Sequence, residues 1–267
     1  SGHKTSEPDA ATRELRHTHR VQSLHSTNPL PRMAWIEQRQ FTLPHGEMTL
    51  QIYSPGGRDL PVIVLLPSID FVSGDLVTHD RIARALAADT PALVVLPALP
   101  QQPEASPTTI HNAAWGTLQW LSTRVERWGG TSHCITLVAE GAGAATAIEV
   151  ARRTRDEDDV NRIAGIVLPT PCFAPGTQPE HDELTDLPSV LILLGATDPN
   201  RQHGSILHDR LQMAKTETRM RVQNNQGPLR SDWALADPAM YDVVLETARE
   251  ATLMFNACQA RQALDTF

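Results

Sequence analysis

The chain has 267 residues, 40% of them apolar, and a formal net charge of −8. That acidity, with no basic patch, argues against nucleic acid or an anionic membrane as a partner, and no apolar run approaches the roughly 18–20 residues of a membrane span. The length implies one or two domains, and the apolar content is enough for a sizeable core.

Residues Asp9 to His25 are polar, with Leu15, Val21 and Leu24 spaced for one weak helical face. Asn28-Pro29-Leu30-Pro31 ends that segment. Residues 1–32 are expected to form a reduced N-terminal cap ahead of one domain at 33–267. Ala34 to Leu43 and Met48 to Tyr53 alternate apolar and polar residues around Pro44-His45-Gly46, the pattern of two strands and a turn. From Leu60 the rhythm changes to short, wholly apolar runs at Pro61–Leu66, Ala92–Leu96, Ile135–Val138, Ile163–Leu168 and Val190–Leu194. Helical patterns separate them at Thr78–Ala88, Thr109–Arg127, Ala142–Arg155, Ser205–Ala214 and Pro238–Leu264, and Thr216–Val222 reads as a last strand. Continuous apolar strands between amphipathic helices predict a mostly parallel central sheet of about eight strands, covered by helices on both faces. In such sheets ligands sit beyond the carboxyl ends of the strands. The residues just after each apolar run are therefore the informative ones.

Cys134, Cys172 and Cys258 are odd in number and widely spaced, which is neither a disulfide framework nor a zinc pattern. They predict a reducing compartment and, with no leader pattern at the start of the chain, the cytoplasm. Cys134 and Cys258 read as packing residues, and Cys172 as a residue of a pocket rim. The 11 histidines show no metal-ligand spacing, so no metal or other cofactor is expected.

Residues Ile135 to Ala145 read as strand, tight turn and helix. Gly141-Ala142-Gly143 matches part of a dinucleotide fingerprint, but Thr146 stands where its third small residue belongs, and a partial match is a weak signal. The alternative is a nucleophile elbow. Here Phe71-Val72-Ser73-Gly74-Asp75-Leu76-Val77-Thr78-His79-Asp80, Trp35-Ile36-Glu37, Leu50-Gln51-Ile52-Tyr53-Ser54-Pro55 and Thr197-Asp198-Pro199 bear on the choice. Together these segments, spread over most of the chain, resemble the hormone-sensitive-lipase-like (bacterial carboxylesterase) family of α/β-hydrolases. The resemblance implies the α/β-hydrolase fold, a pocket built for esters, and a catalytic acid at Asp198.

Three segments depart from that family's pattern. Pro67-Ser68-Ile69-Asp70 falls where the resemblance puts an HGGG loop, whose glycines let backbone N–H groups face an oxyanion. The elbow falls on Ala139-Glu140-Gly141-Ala142-Gly143, so the nucleophile position is Gly141. The histidine position falls near Gln226. No serine occurs from His133 to Pro188 and no histidine follows His208, while the triad of this fold runs serine, acid, histidine along the chain. The sequence therefore predicts loss of Ser-His-Asp hydrolysis.

The catalytic candidates are Asp198, Asp70 and Glu140. Asp198 suits a general base, and equally a turn residue capping the next helix; in the family, the acid at the Glu140 position mostly supports the turn. Ser68, Ile69, Gly141, Ala142, Gln226 and Cys172 are the candidate ligand contacts, with the Ala142 N–H at a helix start suited to a carbonyl or anion. His111 reads as a surface residue. The leading functional reading is a non-hydrolytic small-molecule enzyme, performing cyclisation, isomerisation, epimerisation or elimination in a remodelled pocket. A catalytically silent binder is the second, since a plant hormone receptor shares the fold. An esterase with a nucleophile relocated to Ser68 or Cys172 is the third. A small molecule is the expected partner; the resemblance allows a homodimer through the last strand and helix.

Overall fold

The structure is a computed structural model; it describes residues 6–25, 29–157, 162–224 and 238–265. Its elements are α1 (Ala10–Leu24), β1 (Trp35–Leu43), β2 (Gly46–Ser54), β3 (Val62–Leu66), α2 (Asp80–Asp89), β4 (Leu93–Pro97), α3 (Pro107–Ser122), β5 (Ile135–Ala139), α4 (Gly143–Asp156), β6 (Ile163–Pro169), β7 (Ser189–Gly195), α5 (Arg201–Met213), β8 (Thr218–Gln223) and α6 (Pro238–Asp265). The strands form one eight-stranded sheet in the order β1-β2-β4-β3-β5-β6-β7-β8. β1 and β2 form a hairpin in register from Trp35↔Ser54 to Leu43↔Gly46, and β2 runs antiparallel to β4. Every later pairing is parallel.

All five residues of β3, β4 and β5 are buried, because helices cover both faces of the sheet. Alternate residues serve the two sides. Val62, Val64 and Leu66 join Leu118 of α3, Ile148 of α4 and Leu207 of α5 in one core. Ile63 and Leu65 join Ile82 and Leu86 of α2 and Val243 and Val244 of α6 in the other. The predicted helix over Thr109–Arg127 is two pieces: α3 ends at Ser122 and a separate short turn of helix spans Val125–Trp128. Gly129 (φ +83°) closes that turn in the left-handed region.

α1 begins at Asp9, whose carboxylate accepts the Thr12 N–H. It does not dock through the expected apolar face: Leu15 and Leu24 are exposed, and His19 and Ser23 are buried. The reason is polar complementarity. Arg16, one turn before His19 and Arg20, donates to the Val72 and Gln102 carbonyls and to both oxygens of Glu104. His19 Nδ1 lies 2.6 Å from Ser73 Oγ, and Arg20 pairs with Asp75 at 2.5 Å. One helix thus fastens two loops, 68–75 and 101–104.

The cysteine expectation is corrected. Cys134, just before β5, and Cys258 on α6 form a disulfide across 124 residues of sequence, with Cα atoms 5.7 Å apart. Spacing along the chain gave no hint of it, because α6 meets the start of β5 only through tertiary packing. The bond removes the basis on which a reducing compartment was expected. Among the described residues, no helix is long and apolar enough to cross a membrane.

Candidate functional site

β5 delivers the chain to a sharp turn and α4 starts immediately behind it. Gly141 holds that turn at φ +55°, a conformation costly for a residue with a side chain. Its N–H donates to the Pro169 carbonyl, and its carbonyl accepts the Cys172 N–H. The elbow is thereby pinned to the end of β6.

The loop facing it turns the Ile69 carbonyl, not its N–H, toward the elbow. The Ile69 N–H is spent on the Ser73 carbonyl at 2.9 Å. The Ile69 carbonyl oxygen instead points at the elbow, 2.8 Å from where a β-carbon on Gly141 would stand. An oxyanion needs donors there; this loop presents an acceptor and fills the space of a nucleophile. Gly74 (φ +122°) permits the fold-back of the loop, since a β-carbon there would meet the Ser68 backbone at 2.6 Å.

In front of the elbow lies a cavity of about 180 Å³. Leu66, Phe71, Leu99, Ile110 and Phe173 supply much of its apolar wall, and Ser68, Asp70, His111, Ala142 and Cys172 also line it. Ser68 Oγ donates to the Asp70 carbonyl at 3.1 Å, and Asp70 Oδ1 accepts the Val72 N–H at 2.9 Å. The structure therefore brings Ser68, Asp70, Ala142 and Cys172 together beside Gly141. Ile69 meets the elbow through its backbone. Gln226 lies outside the described residues.

Glu140 faces away from this cavity. Its Oε1 lies 3.0 Å from Nε2 of His79, whose Nδ1 lies 2.8 Å from Thr78 Oγ1. A carboxylate oxygen only accepts, so Nε2 carries the proton of that bond. Both side chains are buried, and the pair ties α2 to the elbow.

Asp198 follows β7 and is only 5% exposed. Its Oδ1 accepts the Asn200 N–H at 2.8 Å, while Oδ2 has no hydrogen-bond partner among the described residues. Burial holds its carboxyl above the usual range, opposed by the Asn200 bond and by His203. Asp198 does not reach the cavity wall. His203 Nδ1 accepts the Phe173 N–H at 3.0 Å, so this histidine supports the wall. Burial, then the charges of Asp198 and Asp70, push the Cys172 thiol up to about 11. It stands on the wall as a neutral thiol.

The expectation for His111 is corrected: it is half-buried on the cavity wall, and burial lowers its pKa. The sequence reading also missed the aromatic wall residues Phe71 and Phe173 and the Arg16 clamp. The one sequence signal for the clamp was the spacing of Arg16, His19, Arg20 and Ser23 on a single helical face. Among the described residues, no group of three or more His, Cys, Asp or Glu side chains is placed to hold a metal.

Residues 70–183 match a family model described as alpha/beta hydrolase fold. The chain is 29% identical over 117 residues to the esterase LipI of Mycobacterium tuberculosis, covering 42% of this chain and 37% of that protein. It is 30% identical over 112 residues to carboxylesterase NlhH of the same organism, covering 41% and 35%. The matched stretch thus spans little more than a third of these relatives. An esterase of Pyrobaculum calidifontis superposes with a TM-score of 0.82 at 19% identity, over 91% of this chain and 93% of that one. EstE1, a thermophilic carboxylesterase from a metagenomic library, does so with 0.82 at 17%, over 94% and 98%. These likenesses establish the α/β-hydrolase fold.

Proposed function

We propose that this protein binds a small molecule in the cavity before Gly141 and performs no serine-type ester hydrolysis. The observation that carries this reading is the Ile69 carbonyl oxygen at the elbow, where hydrolysis needs a side chain and oxyanion donors. Taken over directly, the relatives' names would make the chain an esterase, which requires a nucleophile elsewhere. Cys172 is a neutral thiol, and the Ser68 hydroxyl donates to a carbonyl rather than to a base. A second reading, non-hydrolytic proton transfer such as isomerisation or elimination, is favoured by the unpartnered Oδ2 of Asp198. Burial holds that carboxyl above its ordinary value, which suits proton exchange, though Asp198 stands behind the cavity wall and not on it.

The test is incubation with a fluorophosphonate probe and mass-spectrometric mapping, beside a p-nitrophenyl acetate assay. The proposal expects no adduct and no turnover above the buffer rate. A stoichiometric adduct on one serine, with turnover lost when that serine is replaced, would establish a rebuilt esterase instead.

A further inference from the structure

The cavity has a sign. Among the described residues on its wall, Asp70 carries the only formally charged side chain. No cation pairs with it among the described residues; Oδ1 takes only the Val72 N–H. Arg16 lies near enough to feel Asp70, but its guanidinium is committed to Glu104 and to the Val72 and Gln102 carbonyls. Arg16 is the nearby cation, and the Glu104 carboxylate it pairs with balances its charge. His111 is held toward its neutral form by burial. The Cys172 thiol feels the negative charges of both Asp70 and Asp198, so the field of two carboxylates reaches the wall.

Size and lining complete the description. The cavity of about 180 Å³ is close to the roughly 150 Å³ that accommodates a benzene ring in an engineered protein cavity. Its wall is mainly Leu, Ile, Pro, Phe and Ala. An anionic guest would bury its charge with no cationic side chain on the described wall to pair it, whereas an ammonium would find a carboxylate waiting.

We propose that the cavity selects a compact hydrophobic amine, roughly one ring and a short arm in size, with its ammonium paired to the Asp70 carboxylate. This rests on the small-molecule-binding reading and adds the ligand's chemical class. Phe71, 40% exposed at the cavity, offers a ring face to such a cation.

Isothermal titration calorimetry of the full chain at neutral pH tests it with three probes of one shape: 2-phenylethylamine, 2-phenylethanol and 3-phenylpropanoate. The amine is expected to bind at least about tenfold tighter than the alcohol, and the acid to bind weakest. Asp70→Asn keeps an acceptor for the Val72 N–H; a melting curve checks that the variant is folded. It is expected to bring the amine down to the alcohol's affinity and to leave the alcohol within about threefold. Equal binding of amine and alcohol, tightest binding of the acid, or an Asp70→Asn variant that keeps the amine preference overturns the charge selection while small-molecule binding stands. No binding by any probe overturns the ligand class and counts against the binding reading, whereas serine labelling with ester turnover overturns that reading alone.

Discussion

The carbonyl oxygen of Ile69 occupies the space into which a side chain on Gly141 would project, 2.8 Å from its β-carbon position. Restoring the missing hydroxyl is therefore not a one-residue repair. Gly141→Ser is expected to destabilise the protein by about 1–3 kcal/mol, through the clash and the positive φ. Ester hydrolysis should stay at the buffer rate. Urea denaturation and a p-nitrophenyl acetate assay check both; recovered turnover would mean that the Ile69 loop yields easily.

Asp198 raises a question of sign. Its carboxyl is held above the ordinary value by burial, so the folded state grips the proton more tightly than the unfolded chain does. That contribution is present at acid pH and is lost as pH rises through the folded pKa. At neutral pH the charged group is a cost, with Oδ2 buried and unpartnered. Asp198→Asn keeps an oxygen for the Asn200 N–H and should be more stable at neutral pH by up to about 1 kcal/mol. The gain should shrink as pH falls toward the ordinary carboxyl range. Denaturation midpoints across the acid range measure it; a variant less stable at neutral pH would show that Asp198 has a structural partner.

Cys172 has its pKa pushed up to about 11. At slightly alkaline pH its thiolate fraction falls well over a hundredfold below that of a thiol at the usual value near 8.5. Iodoacetamide should modify it roughly a hundredfold more slowly than free cysteine. The rate should still be climbing above pH 9. Rapid labelling at neutral pH would argue for an activated nucleophile and for the relocated-nucleophile esterase.

The disulfide between Cys134 and Cys258 closes a loop of 124 residues. Intact mass without reductant should be about two daltons below the reduced mass. Reduction, or Cys258→Ser, should lower unfolding free energy by about 2–5 kcal/mol. An unchanged denaturation midpoint with and without reductant would show that α6 holds its place by packing alone.

Arg16 spans both loops at the cavity mouth and holds two carbonyls and a carboxylate. Arg16→Met keeps the apolar stem and removes every donor. It should weaken binding of a cavity ligand at least about tenfold while costing about 1–3 kcal/mol of stability. Calorimetry and thermal melting separate the two effects; a stability loss with unchanged affinity would make α1 a brace and nothing more.

The sheet was legible in the residue pattern because burial on both faces leaves wholly apolar runs, and such runs are read locally. The elbow was legible too, since Gly141 and Gly143 follow the apolar residues 135–139 directly. So was the absence of a serine there, which is a matter of composition over one stretch. What only the tertiary structure decided involves pairs distant in sequence. The meeting of Cys134 with Cys258, the reach of Arg16 to residues 72, 102 and 104, and the turn of Glu140 toward His79 depend on how finished elements pack. The orientation of the Ile69 peptide belongs with them. No side-chain pattern encodes which way a loop carbonyl points, since that follows from where its N–H finds a partner, and here the partner is Ser73.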